Sequence, residues 1–101
     1  MHASGYICIH AGADLTVDAT DSADIAVILQ ELGELMPRAA IKTWWLGEFK
    51  QAGPWWYRIS NLDVLGPRIG FWLVGQLGAR GWEVFQVEQG NPATYHLRRT
   101  A

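Results

Sequence analysis

The sequence predicts one α+β domain over 1–101, an antiparallel sheet with two helices on one face. The expected element order is β-α-β-β-α-β-β, a split β-α-β (ferredoxin-like) arrangement with one extra strand. Three observations carry this expectation. Two segments repeat apolar residues at three-and-four spacing, which is helical. The stretches around them are rich in β-branched and aromatic residues and are bounded by Gly, Pro, Asn and Asp. The chain also has 101 residues, half of them hydrophobic, which suits a single core without a second lobe.

Tyr6-Ile7-Cys8-Ile9-His10 makes the first strand, and the Asp-rich stretch after it reads as a solvated acidic loop leading to a helix. Ile25, Ile28, Leu29, Leu32, Leu35 and Met36 share one helical face, and Pro37 ends that helix. Asp21 followed by Asp24 resembles a capping box, with the acidic groups also suited to the positive end of the helix dipole.

Residues 39–49 and 55–60 form a hairpin across Gln51-Ala52-Gly53-Pro54. Gly66-Pro67 opens the second helix, since proline is tolerated in a first turn, and the helix runs to about Ala79. Gly81 can take the left-handed conformation beyond it. Trp82 to Glu88 and Ala93 to Arg99 then give two strands around a Gln89-Gly90-Asn91-Pro92 turn.

Composition narrows the setting. Charged residues make up 18% of the chain, too few for a disordered one, and no apolar run reaches the roughly 18 residues a membrane span needs. Met1-His2-Ala3-Ser4-Gly5 lacks the pattern of a secretory signal, and Cys8 is a lone cysteine, so a cytoplasmic setting is expected. Residues 1–36 carry a net charge of -6 and residues 37–101 a net charge of +4, a split that could align two copies.

Leu77-Gly78-Ala79-Arg80-Gly81-Trp82-Glu83-Val84, with the closing Tyr95-His96-Leu97-Arg98-Arg99, resembles a family of short bacterial and phage domains of unknown function. Their shared pattern is a helix ending in Leu-Gly-x-x-Gly-Trp-Glu, a strand, a turn, and a final aromatic strand ending in basic residues. The resemblance covers roughly Trp55 to Arg99 and implies structural duties: the glycine ends the helix, the tryptophan seals the corner, and the glutamate points outward. It implies no catalytic residue.

Six tryptophans are an unusual load for so short a chain, and two adjacent pairs stand out. Neighbours in a strand point to opposite faces, so each pair sends a ring to either side of the sheet. Trp44, Trp45, Trp55, Trp56 and Tyr57, with Lys42 and Arg58 beside them, are therefore the candidate binding surface. The expected occupant is a second copy of the chain, giving a homodimer or higher assembly. Another protein, or a small nucleotide held between rings and cations, is the alternative. The net charge of -2 argues against a polynucleotide.

An enzymatic alternative is a dimeric α+β barrel, such as a cofactor-independent monooxygenase, with Asn61, His96 and a tryptophan lining a pocket. It rests on fold analogy alone. Cys8, His10 and His96 can be drawn as a metal site, but their spacing matches no metal motif. The Asp14, Asp18, Asp21 and Asp24 series lacks calcium-loop spacing. Gly75, Gly78 and Gly81 lie in and after a helix rather than before one, so they suit helix packing and capping rather than a phosphate. No cofactor and no metal are expected.

Overall fold

In the computed structural model, residues 3–20, 23–45, 55–90 and 92–100 are described. Their elements are β1 (Ala3–Ala11), β2 (Leu15–Ala19), α1 (Ala23–Leu35), β3 (Ala40–Trp45), β4 (Trp55–Ser60), a short 3-10 turn (Asp63–Leu65), α2 (Gly66–Gly78), β5 (Glu83–Glu88) and β6 (Ala93–Thr100). The strands form one six-stranded sheet in the order β3-β4-β2-β1-β6-β5, with every neighbouring pair antiparallel.

The α+β class, the two helices and the antiparallel pairing of β3 with β4 and of β5 with β6 match expectation, while the end of the expected third strand and its Gln51–Pro54 turn lie outside the described residues. The strand order does not match, because the expected acidic loop is a strand. Leu15, Val17 and Ala19 are buried on one side, so the segment alternates despite its polar residues. A tight turn at 12–14 folds it back on β1, pairing Cys8 with Asp18 and Ile9 with Val17. The sheet therefore has β1 at its centre, between β2 and β6. One split unit is present: β2-α1-β3, with β4 inserted between its strands.

Both helices lie on the same face. Ile25, Ile28, Leu29 and Leu32 of α1, and Leu73 and Leu77 of α2, close over Ile7, Ile9, Leu15, Val17, Ile59 and Leu97. The glycines that let α2 sit close are not the ones the sequence suggested. A Cβ on Gly70 would lie 2.3 Å from the Cβ of Ala11, and one on Gly66 would lie 1.7 Å from the carbonyl oxygen of Gly12. Gly75 and Gly78 face open space instead, so close packing does not account for them.

The end of α2 behaves as its sequence implies. Gly81 has φ +92°, the Trp82 amide donates to the Leu77 carbonyl at 3.0 Å, and the Gly81 amide donates to that of Gly78 at 3.1 Å. These are the two bonds of a Schellman ending. Trp82 then turns into the core, its indole N–H donating to Asp24 Oδ2 at 2.8 Å. Arg99 pairs with the same carboxylate and stacks over the Trp82 ring at 4.8 Å. Asp24 thus ties the start of α1 to the corner. Its proposed capping partner Asp21 lies outside the described residues.

Candidate functional site

Alternation sends Tyr6, Cys8 and His10 of β1 to the face opposite the helices. Register brings Thr16 and Asp18 of β2, Trp56 and Arg58 of β4, Lys42 of β3, and Thr94, His96 and Arg98 of β6 to the same side. A β-bulge between Val84 and Gln86 in β5 adds Phe85. The Phe85 ring meets Tyr6 edge-on at 5.5 Å and carries the Arg98 guanidinium at 5.1 Å.

The polar groups at the centre of this face are linked. The Cys8 Sγ lies 3.5 Å from His10 Nε2, which lies 3.8 Å from Asp18 Oδ2. The other ring nitrogen of His10, Nδ1, sits 3.2 Å from Thr94 Oγ1. Cys8 is 0% exposed and Asp18 3%, although both lie on the face turned away from the two helices. Burial pushes the Cys8 thiol up to about 12, with the Asp18 and Glu88 charges acting the same way. Such a thiol stays protonated at neutral pH and is a poor nucleophile.

A second chain of contacts runs toward the β5 edge. His96 Nε2 is 2.9 Å from Glu88 Oε2, and His96 Nδ1 is 3.4 Å from the Tyr6 hydroxyl. The Tyr6 hydroxyl is raised from its ordinary value by burial first, then by Cys8 and Glu88. Glu83 pairs with Arg98 at 3.3 Å, and across the sheet Arg58 reaches Asp14 at 2.5 Å. The β3–β4 end of the face carries Lys42 and Arg58, while the β5 edge carries Glu83 and Glu88.

No protein family, curated protein or solved structure matches this chain significantly.

The seven candidate surface residues divide between the two faces. Trp56, Arg58 and Lys42 lie on the helix-free side, with Lys42 directly opposite Arg58. Trp55 and Tyr57 point to the helix side, where Tyr57 is buried in the core. Trp44 and Trp45 pair in register with Trp56 and Trp55, and their side chains lie outside the described residues. Trp82 is a core residue and Trp72 packs against the core, so the described part of the helix-free face owes its aromatic character to Tyr6, Trp56 and Phe85.

Trp55 and Tyr57 do line a concavity, a groove of about 380 Å³ where the helix layer stops short of the β3–β4 edge. Leu29 and Gly33 of α1 and Ile41 of β3 complete its apolar wall.

Asn61 and His96 are not brought together. Asn61 sits at the end of β4 with φ 64° and donates to the Arg38 carbonyl at 3.4 Å. His96 lies three strands away in β6, a spacing of roughly 14 Å across the ladder. His96 also turns to Glu88 and Tyr6 rather than to Cys8 and His10. The third member of that cluster is Asp18, which sequence reasoning set aside as solvated. The available signal was the alternation of Leu15, Val17 and Ala19 after a Gly12-Ala13-Asp14 turn.

Proposed function

We propose that this domain is a non-enzymatic interaction module that self-associates through the helix-free face of its sheet. The supporting observation is the one-sided helix layer, which leaves Tyr6, Trp56 and Phe85 on the other side among charges of both signs. Aromatic residues and arginine are the types enriched where protein surfaces meet.

A second copy is the occupant the charges favour. Turned about a two-fold axis, the Lys42 and Arg58 end of one copy meets the Glu83 and Glu88 edge of the other. Face-to-face packing of two such sheets also brings both sets of aromatic rings out of water.

Sedimentation velocity over a range of concentrations tests this reading. The wild-type chain is expected to sediment as a dimer, and the Trp56→Ala, Phe85→Ala double variant as a folded monomer by circular dichroism. A wild-type chain that stays monomeric at every concentration overturns the proposal.

The groove beside Trp55 favours a second reading, a small ligand with a flat apolar ring. Among the described residues its lining carries no Lys or Arg, which weighs against the phosphate of a nucleotide.

A further inference from the structure

The cluster at the centre of the helix-free face has the composition of a metal site. Cys8 and His10 are two residues apart on β1 and so share a face, and Asp18 stands directly across from Cys8 on β2. A thiol sulfur, an imidazole nitrogen and a carboxylate oxygen converge there, all within 4.8 Å of one another.

The separations decide how well a single ion would fit. Tetrahedral zinc, with Zn–S near 2.3 Å and Zn–N and Zn–O near 2.1 Å, sets its sulfur and nitrogen ligands about 3.6 Å apart and its nitrogen and oxygen ligands about 3.4 Å apart. The observed Sγ to Nε2 distance is 3.5 Å and the Nε2 to Oδ2 distance 3.8 Å. The third side, from the Cys8 sulfur to the Asp18 carboxylate, is held only within 4.8 Å, so seating one ion between all three takes a side-chain movement of about 1 Å that draws Asp18 toward Cys8.

The surroundings support the same use. When His10 Nδ1 donates to Thr94 Oγ1 at 3.2 Å, the lone pair of Nε2 is left to face Cys8 and Asp18. That is the outer contact by which proteins orient a metal-binding histidine. Thr94 itself is 7% exposed, so the orienting group is held within the fold. The His10 side chain is 25% exposed and provides the route in from solvent.

We infer that Cys8, His10 and Asp18 form a binding site for one zinc-type divalent cation. Sulfur and imidazole ligands select zinc and its transition-metal neighbours over calcium or magnesium, which prefer sites made of oxygen. A doubly charged ion also balances a thiolate and a carboxylate, which are costly to hold charged in a dry site. Binding replaces the thiol proton, which passes to solvent. Three protein ligands leave a fourth tetrahedral position to water or to a donor from a ligand. All three ligands come from one chain, so a monomer carries the complete site, and a dimer that packs through the same face would cover the His10 route and slow the ion's entry and release.

Cobalt(II), followed by zinc, added to the chelator-treated 101-residue chain tests the site. One equivalent of cobalt should give the near-ultraviolet charge-transfer band of a cobalt–thiolate bond, and zinc should bleach it. Cys8→Ser should lose the band, and Asp18→Asn should weaken binding at least tenfold. Thr94→Val should weaken it about 10- to 100-fold, the usual cost of losing an outer-shell partner.

His2 is not one of the three proposed ligands, so His2→Gln should bind as the wild type does. One equivalent of zinc should also raise the melting temperature of the wild-type chain, a reading that needs no variant to fold. Three results each overturn the inference: no charge-transfer band in the wild type, an unchanged band in folded Cys8→Ser, or binding lost in His2→Gln.

Discussion

At the scale of single residues, Cys8 shows how position rewrites chemistry. Its thiol has an ordinary value of 9.0 and is pushed up to about 12 in the fold, by burial first and then by Asp18 and Glu88. Between those two values the folded chain keeps a proton that the unfolded chain has released. Stability contributed by the neutral thiol is therefore complete below about pH 9 and lost as pH rises toward about 12. Urea midpoints of the metal-free chain should fall more steeply above about pH 9 in the wild type than in Cys8→Ala. Parallel pH profiles for the two proteins would show that Cys8 does not titrate late.

Asp18 is the residue least readable from sequence. An aspartate among other acidic residues reads as solvated, and its burial depends on Cys8, which stands ten positions earlier and meets it only through the register of a hairpin. The same holds for the tryptophans. Alternation predicts that Trp55 and Trp56 separate, yet which one meets the helices depends on how β4 pairs with β2. Trp82 was clearer, because the glycine before it fixes both a helix end and the direction of the next side chain.

At the scale of elements, the two helices could be read directly, since their apolar faces repeat within a few residues. The strands were harder. β2 is hard to read because Thr16 and Asp18 dilute a short apolar alternation, and an added central strand changes the order of the whole sheet. The glycines of α2 make this level testable. Gly75→Ala adds a methyl group to open space and removes the flexibility glycine costs a helix, so it should stabilise the domain by about 0.5–1 kcal/mol. Gly70→Ala drives a methyl group into Ala11 on a strand that cannot yield, and should cost roughly 1–3 kcal/mol. Thermal melts of the two variants should move in opposite directions. A stabilised Gly70→Ala would mean that α2 is not seated against β1.

At the scale of the whole molecule, the sheet is assembled from distant parts of the chain. β1 pairs along its length with β6, from Ala3 opposite Thr100 to Ala11 opposite Ala93, and β5 joins the sheet only through β6. Removing β6 therefore strips two strands from the sheet and uncovers Ile7, Ile9 and Leu77. A chain ending at Glu88 should lose dispersed amide resonances and cooperative melting altogether, rather than show a modest drop in melting temperature. Pairings of such long sequence separation also favour slow folding, because the loop must close before its contacts form.

The pairing of Ala3 with Thr100 has a further consequence, for how the domain can be joined to other things. Polypeptide fused before Ala3 and polypeptide fused after Thr100 leave from adjacent points on one end of the sheet. A short linker between those points would close the backbone into a ring without disturbing a strand, and the chain could then be reopened at an exposed turn. The same adjacency makes the domain suited to insertion into a surface loop of a host protein, because its two attachment points span little more than the base of a hairpin.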